Sequence, residues 1–232
     1  MPAKGFPDKP FFDAQLAEGN ALWPAIMRCN AHRCAKADAG PLAASARARL
    51  DDWLAQTPDS LRAGDAGQKA AFFWDFGEDS RKIALLDDAM LSRLAAVAGV
   101  TLHAPALARI VERKARLACR EALGEDLFDY AQTRGQYQTG AAGDIMARRD
   151  TDLPLPERCR AHGWLALYFC SLRWPRELRQ IFLPRLAQLS GGDAVVSLGD
   201  GLGDKAWQAL WRLLKKCLLR EVAPLWKPYF TA

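Results

Sequence analysis

Histidine is scarce in this chain of 232 residues: His32, His103 and His162 are all it has. Nucleophilic catalysis needs a nucleophile, a base and an orienting group, so imidazole supply is poor. The Gly-x-Ser-x-Gly elbow is absent. So is the phosphate-loop spacing Gly-x-x-x-x-Gly-Lys-Ser/Thr; Gly199 to Lys205 is glycine-rich, but Asp200 and Asp204 would repel phosphate there. The longest uninterrupted apolar run, Gly163 to Leu172, is half of the ~20 residues a membrane helix needs. The start, Met1 to Asp8, lacks a hydrophobic signal core, so the expectation is a protein made and kept in the cytoplasm. Alternating strand patterns are nearly missing, and neither a fixed-period repeat nor a sustained heptad occurs.

What is there is ordinary globular composition: 50% hydrophobic and 25% charged residues. The chain is long enough to bury a core without disulfides or metal. Net charge is +5, but the basic residues are interleaved with Leu, Ala and Trp rather than concentrated as in a typical nucleic-acid binder. The six cysteines (Cys29, Cys34, Cys119, Cys159, Cys170 and Cys217) sit mostly inside apolar or helical patterns. In a reducing cytosol they read as buried thiols.

Helical periodicity dominates and predicts an all-α fold: an irregular bundle of roughly eight helices with two long loops. The expected organisation is one helical domain over 1–232, divisible into an N-terminal subdomain 1–78 and a C-terminal subdomain 79–232. Helices are predicted over 21–36 and 41–56, then a polar linker at 59–68 and an aromatic cluster at 72–76. A long helix from about Ser80 would end at a glycine cap at Gly99. Pro105 would open the next, carrying Leu107, Ile110, Lys114 and Leu117, with Gly124 closing it. Glu125 to Arg134 follows, then a loop over 135–156 with at most a helical turn, and an apolar helix from Pro156 to about Trp174. Pro184 should interrupt the segment from Arg176, residues 191–203 read as the second loop, and Asp204 should cap a last helix to about Val222.

Three constellations bear on function. Cys29-x-x-His32 and Cys159-x-x-His162 together would supply the four N and S ligands of a tetrahedral zinc site, each pair on one helix face. The plainer reading is buried thiols beside imidazoles, and the turn residues of a zinc knuckle are missing. The carboxylates Asp51-Asp52, Asp87-Asp88 and Glu125, Asp126, Asp129 suit solvated faces and helix starts better than acid–base chemistry. Two basic helices suit partners: Arg109, Arg113, Lys114, Arg116 and Arg120 on one, and Lys205, Arg212, Lys215, Lys216 and Arg220 beside Trp207, Trp211 and Trp226 on the last. Trp and Arg are enriched at interface hot spots.

The order and spacing of several elements resemble the SctK family of bacterial type III secretion systems. They are Leu91, Leu94, Gly99, Leu102 and His103, then Leu107 and Ile110, then Leu117 to Gly124, Gly163 to Ala166, Arg179 to Pro184, and Leu214 through Pro224 to Phe230. The likeness spans roughly 83–186 and 207–230; residues 1–80 match only around Leu22 to Pro24, and the longer loops leave the branch of the family open. The resemblance implies a non-enzymatic, cofactor-free cytosolic adaptor of the sorting platform, recruited to the inner membrane at the secretion apparatus. Its implied partners are the ring protein SctD and the pod protein SctQ, with SctL and the ATPase SctN reached indirectly. No nucleic-acid contact and no direct membrane insertion are implied. A small helical zinc enzyme or regulator, and a helical nucleic-acid-binding protein, are the alternative readings.

Overall fold

The computed structural model describes residues 22, 25, 26, 29, 30, 73, 75–147, 152–191 and 202–230. Expectations for helices at 41–56, the linker at 59–68, and residues His32, Cys34 and 192–201 lie outside them. The described residues are mostly helical, with no strand among them. The α-helices are α1 (Asp88–Ala108), α2 (Arg113–Leu123), α3 (Glu125–Thr133), α4 (Gly140–Ala147), α5 (Leu155–Ser171), α6 (Arg176–Ser190) and α7 (Asp204–Cys217). Short 3-10 turns at Asp79–Leu85, Gly135–Tyr137 and Pro224–Tyr229 and a π turn at Leu218–Val222 complete the order. The all-α expectation holds.

The chain divides into two compact units, Met1–Leu86 with Pro175–Ile181, and Asp87–Trp174 with Phe182–Ala232. In the first, buried Asn30 works as a backbone clamp. Its side-chain amide accepts from Phe73 N at 2.8 Å and donates to Phe73 O at 2.8 Å and to Ile26 O at 3.0 Å. One side chain thereby joins segments more than forty residues apart and satisfies its own buried dipole. Phe73 and Phe76 meet edge to face, 5.2 Å between ring centroids. Arg81 ties this stretch to Asp75 at 2.6 Å and Glu78 at 3.0 Å.

The second unit is organised on α1. Asp87 caps it by accepting from Met90 N at 2.7 Å. Leu91, Leu94, Val97, Ala98 and Leu102 are all buried along it. By length and apolarity α1 would be able to cross a membrane, but 67% of that stretch is covered by the rest of the protein, as in a core helix.

Here the structure corrects the sequence reading. The segment starting at Asp79 is a 3-10 turn, and the true helix begins after it at Asp88. Gly99 does not cap that helix, which runs on through Gly99 and Pro105 to Ala108. Gly99 lies where α1 crosses α5, the most extensive helix pairing in the unit. A Cβ at Gly99 would overlap the carbonyl of Cys159, and one at Gly163 would overlap the carbonyl of Ala95. The two backbones touch reciprocally, and only glycine leaves room for that. Pro105 removes the N–H that would bond the Thr101 carbonyl. Thr139 replaces it, donating from Oγ1 to Thr101 O at 2.7 Å.

Two further boundaries move. Residues 135–147, expected mainly as loop, form a 3-10 turn and α4, whose Ala142 and Met146 are buried. Pro184 lies inside an unbroken α6, flanked by buried Phe182 and Leu186, so packing holds the helix across the missing donor. The cap of α7 is Gly203, while Asp204 pairs with Arg173.

Gly99→Ala and Gly163→Ala should each destabilise the fold by about 1–3 kcal/mol, because backbone and not a flexible side chain must move. Gly203→Ala, with open space around it, is the comparison without overlap and should lose less, only the preference of the α7 N-cap for glycine over alanine. Urea denaturation of the three variants checks this.

Candidate interaction surface

The basic residues singled out in the sequence fall on two helices of the second unit. Arg109 is exposed at the end of α1, and Arg113, Lys114 and Arg116 are exposed on α2. Only Cys119 of α2 is buried. Its inward side is otherwise Ala115, Ala122 and Leu123, all half-buried and mostly small, which give little to anchor. Fixed partners hold it instead. Arg116 donates to Gln132 Oε1 at 2.7 Å and lies 5.8 Å over the Phe128 ring. Arg120 pairs with Glu125 and with Asp129, the latter at 3.8 Å. Arg160 from α5 caps the carbonyl of Ala122. Gly124, at φ 89°, makes the turn into α3.

The outward face of α2 is different. Leu117 is 55% exposed among Arg113, Lys114 and Glu121, and Val111 just ahead of the helix is 93% exposed. Among the described residues Arg113 and Lys114 make no ion pair. This face offers cations and apolar side chains together.

The last helix is less available. Trp211 is half-buried and stacks on Phe230, 6.4 Å between centroids at 28°. Lys215 lies 5.9 Å over the same Phe230 ring. Arg212 and Lys216 remain outward. The four residues therefore do not form one uniform face: two are folded onto the chain's own C-terminal segment.

Sequence reasoning missed the buried polar groups. His103 Nε2 and His162 Nδ1 are 2.8 Å apart, both rings buried, one on each side of the α1–α5 crossing. In this bond one ring donates and the other accepts, so the pair is satisfied when neutral. Burial, then His162 and Arg158 nearby, lowers the His103 pKa from 6.5 to about 4. One turn away, burial with Cys119 close by pushes the Cys159 thiol up to about 12. A second cluster centres on Thr101. Its hydroxyl donates to Val97 O at 2.7 Å and accepts from Tyr130 Oη at 3.0 Å, with Cys217 Sγ at 3.6 Å. Burial raises the Tyr130 phenol, and pushes the Cys217 thiol up to about 11, so both keep their protons as donors. Nothing in the local sequence marks these partners, which come from four separate helices.

For the zinc set, Cys29 and Cys159 belong to different units, and His162 Nδ1 is engaged with His103. No group of three metal donors occurs among the described residues. The described cysteines, Cys29, Cys119, Cys159, Cys170 and Cys217, are buried thiols outside any disulfide.

A scan against protein-family models, a search of curated proteins and a search of solved structures each returned no match.

The histidine pair makes the fold acid-sensitive. The unfolded chain protonates near 6.5 and folded His103 only near 4. Below about 6.5 the unfolded state therefore binds the extra proton, and stability falls with pH toward 4 by up to about 3 kcal/mol. Above that window the contribution is constant. His103→Gln should flatten the fall, measured as urea midpoints at pH about 7.5 and about 5 for both proteins.

Proposed function

We propose that this protein is a non-enzymatic adaptor of a type III secretion sorting platform, standing in the cytoplasm between the ring protein SctD and the pod protein SctQ. Two things support the reading. One is the resemblance to the SctK family in the order of Leu91, Gly99, His103, Gly124, Gly163, Pro184 and Pro224. The other, which carries it, is the outward face of α2 with the segment just before it, where Val111 and Leu117 are exposed among Arg109, Arg113 and Lys114. A helix whose inward side is Cys119 and small residues keeps little of its own binding capacity for the core. Its outer side combines apolar contact with positive charge, the combination that anchors and steers a protein partner. On this reading the protein acts by holding partners together and needs no cofactor.

The test is isolation of the protein from its own cells with the platform intact. Ring and pod proteins should come with it. The triple variant Arg113→Glu, Lys114→Glu, Leu117→Ser should fold normally, because exposed substitutions cost about 0.5 kcal/mol or less. It should recover far less of at least one partner. Arg212→Glu with Lys216→Glu should recover more than the α2 variant does. Recovery of neither ring nor pod protein by the unaltered chain would contradict the adaptor reading. Full recovery by the α2 variant would contradict the choice of face alone.

A further inference from the structure

Beyond α2, the second unit carries an open, shallow cavity of about 360 Å³ lined by Arg134, Tyr137, Gln138, Arg220 and Glu221. Its parts are held from below. Arg134 pairs with Glu221 at 3.2 Å and lies 5.6 Å over the Tyr130 ring. Tyr130 in turn is bonded to Thr101 in the core of α1. Gln138 donates to Glu221 Oε1 at 3.3 Å, which fixes the orientation of its amide. With that orientation Gln138 Oε1 is buried and has no hydrogen-bond partner. Thr139, the next residue, is bonded to the Thr101 and Gly135 carbonyls at 2.7 and 3.1 Å. The floor is thus fixed, while the rim is open. The Tyr137 ring is 82% exposed and contributes nothing to the core, and Leu225, just past the π turn, is 88% exposed. Arg220 is exposed and makes no ion pair among the described residues.

Charge decides what fits. Glu221 balances one guanidinium, so the cavity keeps one positive charge, and Arg134 still has N–H donors beyond the one used. An exposed aromatic ring next to uncompensated arginine suits an anionic group attached to an apolar or aromatic neighbour. We propose that this cavity is a docking site for an acidic segment of a partner protein, in which a Glu or Asp carboxylate reaches Arg220 and Arg134 and an adjacent aromatic side chain lies on Tyr137. The carboxylate–guanidinium pairing supplies direction, and the ring contact discriminates a peptide from a bare anion. The site is on the chain's own residues and stands whether or not the protein serves a secretion platform.

The probe is a fluorescein-labelled peptide of alternating Glu and Trp, titrated with the purified full chain at low ionic strength. Its control is the same peptide with Gln for Glu. The Glu peptide should bind on the order of tenfold more tightly than the Gln peptide, and more weakly as salt rises. Arg220→Glu, with folding checked by circular dichroism, should lose about tenfold in affinity for the Glu peptide and gain preference for a Lys–Trp peptide. Tyr137→Ala should lose severalfold. Equal binding of the two peptides, no binding at all, or unchanged binding by Arg220→Glu would overturn the proposal. So would displacement by inorganic phosphate with Tyr137→Ala unaffected, which is a plain anion site. Self-association of the chain that Arg220→Glu abolishes would assign the cavity to a second copy, and would overturn it too.

Discussion

Contact between two peptide backbones governs the second unit. Where α1 crosses α5, Gly99 faces the carbonyl of Cys159 and Gly163 faces that of Ala95. No side chain separates the helices there, so His103, one turn from Gly99, and His162, next to Gly163, are set at close positions. That is why two imidazoles from different helices meet at 2.8 Å with no slack. The same closeness keeps Leu91, Leu94 and Leu165 fully buried along α1 and α5. Dense packing of this kind has two discrete outcomes, formed or opened, rather than a continuous range.

Thr101 carries a second dependency. Its hydroxyl gathers Tyr130 from α3 and Cys217 from α7, and its carbonyl takes the hydroxyl of Thr139 where Pro105 offers no N–H. A proline that would ordinarily weaken a helix end thereby creates an acceptor that positions the turn leading to α4. The cavity beside Arg134 rests on this arrangement through the Tyr130 ring. Buried network, turn and surface site form one chain of contacts from core to exterior. By contrast, α2 hangs on a cysteine, two small residues and a few ion pairs, which leaves its outer face free of structural duty.

Much of this was legible in the sequence, and the gaps have physical causes. The apolar residues of α1, the apolar run of α5, the amphipathic pattern of α7, the Gly124 turn and the acidic start of α3 are all readable, because each is a local property. Gly99 and Pro105 misled because the usual meaning of glycine and proline is punctuation. Their meaning here depends on Cys159 and Thr139, which lie 60 and 34 residues further along the chain. Pro184 misled for the same reason, since burial of Phe182 and Leu186 outweighs the lost donor. The basic residues of α2 and α7 were found by composition, but exposure separates them. Lys215 and Trp211 look like their neighbours in the sequence and are drawn onto Phe230 only in the fold. Asn30, which no local pattern marks between Cys29 and His32, is the residue that clamps Phe73.

The central proposal is that the outward face of α2 is the place where a platform partner docks. The most direct measurement is a photo-crosslinking amino acid placed at Leu117 in the living source cell, with the same substitution at Arg212 for comparison. Both positions are outside the core, so both proteins should fold. The account predicts a covalent adduct between position 117 and the ring or pod protein, identified by mass spectrometry, and a weaker adduct or none from position 212. Adducts from 212 alone, or from 117 to proteins unconnected with secretion, would contradict it.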